Sequence, residues 1–301
     1  MAIVLGHNQY GKAEIRLLHV SRDDATHTIR DLNVSVTLSG GLAATHLTGD
    51  NTAVLTTDAQ KNTIFAYAKE YGVDQIEDFA LLLARHFVES QAAISFARVT
   101  IEQYPWDRLG GHSFCRSGRE VRTAMVSYDG RDSWVVSGLR DLILLNTAGS
   151  EFWGFARDRY TTLAETTDRI LATAVNARWR HASPVTQQPG TEGTLGSAPD
   201  GAPDWADSCC AVRELLLAAF ADTHSYSLQQ TLFAMGRRVL DGRPEIAEIR
   251  LSLPNKHHFE VDMSPFGLDN SGEVFYAADR LYGLIEGTVT RDEAPPPGKA
   301  W

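Results

Sequence analysis

Between Leu32 and Leu38 apolar and polar residues alternate without a break: Leu32-Asn33-Val34-Ser35-Val36-Thr37-Leu38. A period of two puts one set of side chains on each face of a strand, so one face is buried and the other is polar. Glu14 to Val20 reads as the partner strand, with the turn around Arg22-Asp23-Asp24. Thr56-Thr57-Asp58 and Gly72 are start and stop signals for a helix from Asp58 to Tyr71. A second helix runs from Ile76 to Ser90, where Ile76, Phe79, Ala80, Leu83 and Phe87 form one apolar stripe. Ile94 to Gln103 and Glu120 to Tyr128 read as strands again, so the order is β-β-α-α-β-β.

The second half repeats that order. Trp134 to Leu145 and Ile170 to His181 read as strands, and Asp204 to Thr223 as a helix. A helix from Ser227 to Leu240 follows, with Ser227 as its N-cap. Ile249 to Leu253 and Leu284 to Thr290 supply the last strands. The repeat lies in element order only, because the two halves are not visibly alike in residues. Two segments lack this patterning. Ser183–Pro203 is rich in Pro, Gly, Ser and Thr and reads as a flexible surface loop. Residues 292–301, with Pro295-Pro296-Pro297, read as a loose tail.

Composition narrows the function. At 301 residues the chain has room for about two domains or one large one. Its 28 Lys and Arg against 38 Asp and Glu give a net charge of −10. That argues against coating nucleic acid or anionic lipid, yet leaves room for a small anion held by one or two local cations. Cys115, Cys209 and Cys210 make neither a disulfide framework nor a C-x-x-C motif. No apolar run is long enough to span a membrane, and the start lacks the pattern of a signal peptide. The end does not read Ser-Lys-Leu. The expectation is a reduced, soluble, cytoplasmic protein.

The common phosphate, dinucleotide, serine-hydrolase and zinc-protease motifs are missing. His257-His258, the one close pair of histidines, is placed in a strand, where neighbours point to opposite faces and cannot share a metal. If the extended geometry continues past Leu253, Asn255, His257 and Phe259 share a face. That face suits a planar, hydrogen-bonding ligand, or it is a plain strand end. Thr56-Thr57-Asp58 and Ser227-Leu228-Gln229 each open a helix, where free N–H groups favour an acceptor atom and an ordinary cap is the alternative. Phe152-Trp153-Gly154-Phe155 is an aromatic cluster that core packing would explain. Arg169 before an apolar strand reads as a solvated charge, and Gly11-Lys12 as a flexible turn followed by a cation.

Together these segments resemble the urate oxidase (uricase) family. The matching stretches are Tyr10-Gly11-Lys12, Asp50-Asn51 through Thr57-Asp58-Ala59-Gln60-Lys61-Asn62-Thr63, and Phe152 through Asp158. Tyr160 to Leu163, Glu165-Thr166, Asp168 to Leu171, Ser227-Leu228-Gln229 and Ser252-Leu253-Pro254-Asn255-Lys256-His257 complete the set. They occur in family order across nearly the whole chain. Three positions depart: Asn146 stands where lysine is usual, Ala148 where threonine is, and Leu228 where valine is common.

The resemblance implies an α+β chain of tandem tunnelling-fold (T-fold) repeats, 1–133 and 134–291, each ββααββ. Their antiparallel sheets would close into a barrel on oligomerisation, with helices outside. It implies a homotetramer with active sites between subunits, and oxidation of urate by dioxygen and water to 5-hydroxyisourate and hydrogen peroxide. It implies neither metal nor organic cofactor, with dioxygen as co-substrate. By the same resemblance Lys12 and Thr57 abstract a proton and His257 orients or shuttles it. Arg169 and Gln229 clamp opposite edges of urate, Phe152 stacks on it, and the backbone N–H groups of Asp58 and Leu228 add in-plane contacts. Asn255 and Thr57 hold dioxygen. The alternatives are a pterin-acting T-fold enzyme, which would use zinc or a glutamate anchor, and a catalytically silent purine-binding T-fold protein.

Overall fold

The computed structural model describes residues 1–22, 25–182, 203–278 and 280–301. Asp23 and Asp24 of the expected turn, and residues 183–202 of the expected loop, lie outside these. In chain order the elements are β1 (Tyr10–Ser21), β2 (Thr28–Gly40), α1 (Ala43–Leu47), α2 (Thr57–Tyr71) and α3 (Ile76–Glu89). Next come β3 (Ile94–Tyr104), β4 (Trp106–Arg108), β5 (Phe114–Arg116), β6 (Val121–Tyr128), β7 (Ser133–Asn146) and β8 (Leu171–His181). The chain continues with α4 (Trp205–Asp222), α5 (Leu228–Gly242), β9 (Ile246–Asn255), β10 (His258–Glu260), β11 (Phe275–Ala277) and β12 (Gly283–Thr290). This is an α+β fold dominated by antiparallel strands. The expected strands and helices are present, together with the short elements α1, β4, β5, β10 and β11 that the sequence did not signal.

Two compact units result. The first comprises Met1–Gly138, Trp179–Cys209 and Ala294–Trp301, and the second Leu139–Arg178 and Cys210–Glu293. In the first unit β1 pairs with β2, β2 with β3 and β3 with β6, all antiparallel. The alternating strand explains its core. Leu32, Val34, Val36 and Leu38 are at most 3% exposed, and they join Ile64 of α2 and Phe79, Leu83 and Phe87 of α3 in one apolar cluster. In the second unit β9 pairs antiparallel with β12. Helix α5 buries Leu232, Met235 and Val239, and β9 buries Ile249, Leu251 and Leu253. Glycine lets α5 approach β12, since a Cβ at Gly236 would lie 2.5 Å from a methyl of Val289.

Three expectations need correction. Gly11-Lys12 is not a turn but strand, with Gly11 opposite Thr37 and Lys12 opposite Val36. A Cβ on Gly11 would fall 1.8 Å from the Val36 carbonyl oxygen, so the glycine is there for close approach and not for flexibility. Residues 292–301 have little regular structure, but their end is not loose. Arg98 Nη2 donates to the carbonyls of Lys299 (2.9 Å) and Trp301 (2.8 Å), Lys299 pairs with Asp129 at 3.3 Å, and Ala300 is buried. Arg180 also donates to the Pro295 carbonyl. Lack of periodicity signals lack of a helix or strand, not lack of contacts. Finally, His257-His258 does not lie in one strand. β9 ends at Asn255 and β10 begins at His258, so the alternation argument fails at this pair.

The register of β1 shifts between Lys12 and Ile15, and Glu14 takes a positive φ of 59°. Polar residues of the alternating strand secure this bulge: Ser35 Oγ accepts from the Glu14 N–H at 3.1 Å, and Asn33 Nδ2 donates to Glu14 Oε2 at 2.7 Å. Bulges re-aim nearby side chains, and this one follows Lys12. Gly11→Ala is expected to force β1 from β2 at this point, costing about 1–3 kcal/mol. A lowered thermal transition is the expected result, and an unchanged one would reject the close approach.

Candidate functional site

Each unit gathers part of the expected site. In the first, helix α2 starts with Thr56 as N-cap, its hydroxyl accepting from the Ala59 N–H at 3.1 Å. The Gln60 N–H bonds to the Thr56 carbonyl at 3.1 Å. Helical geometry leaves the N–H groups of Thr57 and Asp58 outside this ladder and aimed off the helix end. Strand β1 is tied to the same place, because Tyr10 Oη and Gln60 Nε2 both donate to the Leu55 carbonyl, at 3.0 and 3.2 Å. Lys12, two residues from Tyr10, is close enough to contribute to the electrostatics of Asp58.

The Asp58 side chain is exposed and bonds to Lys61 Nζ at 2.6 Å and Asn62 Nδ2 at 3.0 Å. Lys61 first, then Asn62 and Lys12, hold this carboxyl below its ordinary range. The side chain is thus engaged along the helix, while its backbone N–H remains at the helix mouth.

The second unit sets Arg169 against Phe152 and links Arg169, through Ser150 and Ser225, to the start of the helix that carries Leu228 and Gln229. The backbone of Phe152 exchanges two hydrogen bonds with Thr166, at 2.8 and 3.0 Å. The Arg169 guanidinium lies over the Phe152 ring, 5.1 Å from its centroid, and Phe155 stacks on Phe152 at 5.1 Å. Arg169 Nε donates to Ser150 Oγ at 3.2 Å. Burial lowers the Arg169 pKa, yet a guanidinium stays charged at neutral pH. Among the described residues no carboxylate pairs with it. Arg169 is therefore not the solvated charge that its position before β8 indicated. Phe152 and Phe155 are only half-buried and Trp153 is 54% exposed, so this cluster is not core either.

Helix α5 starts as α2 does. Ser227 is the N-cap, its hydroxyl accepting from Gln230 N–H at 3.1 Å, and Gln230 Oε1 accepts in return from Tyr226 N–H at 2.8 Å. The N–H groups of Leu228 and Gln229 lie outside the intrahelical ladder. Leu228 is buried and Gln229 is exposed.

Asn255 ends β9 and His257 follows it. The Lys256 N–H bonds to the Ala172 carbonyl at 2.8 Å, which sets both residues beside the start of β8, just after Arg169. The His257 and Phe259 rings stack at 5.8 Å. Those two do share a side, through a break in the strand and not through its continuation. Asn146, where the resemblance leads one to expect lysine, donates to the Phe220 carbonyl at 3.1 Å.

Sequence reasoning missed the residues behind the site. Ser150 and Ser225 are completely buried, and Glu151 accepts from both Trp153 Nε1 and His224 Nε2 at 2.7 Å. Their only signal is small or acidic residues flanking motif positions. Among the described residues no group of three or more His, Cys, Asp or Glu is placed to hold a metal ion. No helix among them is long and apolar enough to cross a membrane.

Comparison with known proteins gives a consistent result. The family model described as Uricase matches residues 8–127 and 135–286. A curated uricase from Arthrobacter globiformis is 48% identical over 99% of this chain and 94% of its own length. The uricase of Aspergillus flavus is 36% identical over 94% of this chain and 95% of its own. The crystal structure of the A. globiformis uricase superposes with a TM-score of 0.89 at 49% identity, covering 98% of each chain.

The lowered Asp58 pKa can be tested directly. Its folded value lies below the unfolded one, near 3.9, so its contribution to stability is complete above that pH and is lost as pH falls through the folded value. Lys61→Ala is expected to raise the Asp58 midpoint in an NMR titration. A midpoint that does not move would show that Lys61 is not the main cause.

Proposed function

The chain belongs to the uricase family and oxidises urate, and from that premise we propose that it does so without metal or organic cofactor, using two residue clusters contributed by neighbouring subunits. The product is 5-hydroxyisourate. Water adds its hydroxyl to the purine ring, and two electrons and two protons pass to dioxygen, giving hydrogen peroxide.

The observation that carries the reading of the site is Arg169. A guanidinium partly withdrawn from water, with no carboxylate partner among the described residues, calls for an anion. Urate is a flat anion. Arg169 takes one edge by a charge-assisted, bidentate pair, and Gln229 takes the opposite edge with a donor and an acceptor. Phe152 supplies an aromatic face. The N–H groups of Leu228 and Asp58 complete the plane, each at a helix start where the dipole favours negative charge.

Lys12 and Thr57 remove the proton, the hydroxyl acting as base when the neighbouring amine is neutral. His257 orients or shuttles that proton, and Asn255 with Thr57 holds dioxygen above the ring. Lys12, Thr57 and Asp58 lie in one unit and the other six residues in the second. In the proposed assembly the first three come from one copy and the other six from its neighbour.

The same reading makes 1–133 and 134–291 tandem T-fold repeats whose sheets close into a barrel in a homotetramer. Support comes from β12, largely exposed along its length, and from β1, which pairs on one side with β2. Edge strands with unpaired backbone groups are ready to pair with another copy. A pterin-acting enzyme of this fold would need a different anchor, since Arg169 and Gln229 occupy the clamp positions.

Metal-stripped protein mixed with urate in air is expected to consume urate and release an equal amount of peroxide. Activity that returns only with added metal would overturn the cofactor-free reading. Lys12→Met should lower turnover at least about a hundredfold. Its affinity for urate, measured without oxygen, should change much less. Intact turnover in that variant would sink the proton relay.

A further inference from the structure

The contacts of Arg169 point to a residue with no assigned part in the reaction. A guanidinium presents five N–H groups in a rigid planar fork. The Phe152 ring covers it at 5.1 Å, and what remains to be set is the rotation of the fork about the side-chain bonds. Ser150 sets it. Its hydroxyl accepts from Nε at 3.2 Å, which occupies the inner edge of the fork and leaves the outer edge, with both terminal nitrogens, for a ligand.

Ser150 is itself fully buried and fixed by main chain. It forms a parallel bridge with Ser225, through Glu151 N–H to the Ser225 carbonyl (2.7 Å) and Ser225 N–H to the Gly149 carbonyl (2.9 Å). Ser225 continues the line. Its hydroxyl donates to the Ser227 carbonyl at 3.1 Å and accepts from Thr231 Oγ1 at 2.8 Å. Ser227 caps α5, which carries Leu228 and Gln229. One buried hydroxyl and one short bridge thus connect the orientation of Arg169 to the start of α5.

We propose that Ser150 is a positioning residue for the urate clamp, holding the Arg169 fork in the orientation that pairs bidentately with the substrate edge and in register with Leu228 and Gln229. This rests on the reading of Arg169 as the clamp. A hydrogen bond to a charged group that orients a ligand contact is worth roughly tenfold in affinity or more. The effect falls on binding, because Ser150 touches neither the base nor dioxygen.

The test is a double-mutant cycle on the full-length assembled enzyme, using Ser150→Ala, Arg169→Ala and the double variant. Urate affinity is measured calorimetrically without oxygen, turnover in air, and the thermal transition for each protein. Ser150→Ala should weaken urate binding about tenfold and raise KM similarly, with kcat within about twofold. In the Arg169→Ala background the same change should cost almost nothing more, since no fork remains to be oriented. A loss of equal size in both backgrounds would mean that Ser150 acts through general structure, and would overturn the proposal. So would unchanged affinity in Ser150→Ala alongside weakened affinity in Arg169→Ala. Unchanged affinity in Arg169→Ala would instead reject the clamp itself.

Discussion

A charge partly withdrawn from water without a counter-charge is costly, and the second unit holds one in Arg169. Arg169 has an aromatic ring on one face, a buried hydroxyl at Nε, and no carboxylate partner among the described residues. The ring and the hydroxyl compensate only part of its lost hydration. Water at the exposed part of the group supplies the rest, and under the proposed function the urate anion takes the place of that water. This reconciles a local anion site with a chain of net charge −10. The acidic excess acts over the outer surface and is screened within about a Debye length, whereas the clamp acts at hydrogen-bond distance.

The same device appears at both helix starts. In α2 and in α5 a Ser or Thr hydroxyl satisfies the third N–H of the helix, which leaves the first two to face outward. A cap therefore does two things. It stabilises the helix, and it selects which N–H groups remain for a ligand. Thr57 and Asp58 occupy those positions in one unit, and Leu228 and Gln229 in the other. The side chains at these pairs differ because their tasks differ. The exposed Asp58 carboxylate is drawn toward Lys61 and Asn62, clear of the helix axis, so it does not fill the anion position its own backbone creates.

What could be read from the residues follows a physical divide. Periodic features were readable, because a period of two or 3.6 is imposed by backbone geometry on every residue of an element. Strand 32–38, which lies within β2, and helix 76–90, which matches α3 to one residue, are of this kind, while the cap at Ser227 is legible from its hydroxyl alone. Single close approaches were not readable. Gly11 looks like a turn glycine until Val36 of the neighbouring strand is known to press against it. Residues 292–301 look loose because a carbonyl that accepts from a distant arginine carries no residue signature. His257 does lie beside Phe259, but strand alternation is not what puts it there, since the strand breaks before it. The candidate site residues came from resemblance to a family. Ser150 and Ser225 escaped even that, because a buried serine in sequence is indistinguishable from a loop serine.

Under the proposed assembly, binding and oxidation are separable properties of one chain. The clamp residues and the Asn255–His257 segment all lie in the second unit, where buried hydroxyls and short bridges fix the arginine, the ring and the helix start to one another. The base lies in the first, where Gly11 and the bulge at Glu14 set the course of the chain around Lys12. A copy with no neighbour would keep the Arg169, Gln229, Leu228 and Phe152 contacts, but the Asp58 N–H and the base pair next to them would be missing, because its own Lys12 and Thr57 serve another site. Preorganisation is thus divided: the clamp is rigid within a single chain, whereas the distance from base to substrate depends on how two chains meet. Catalysis depends on that distance far more steeply than binding does, since near-attack geometry tolerates displacements of about an ångström or less. Assembly, more than any single contact, then sets the rate, and the fold's part is to give each copy two surfaces stiff enough for the meeting to be reproducible.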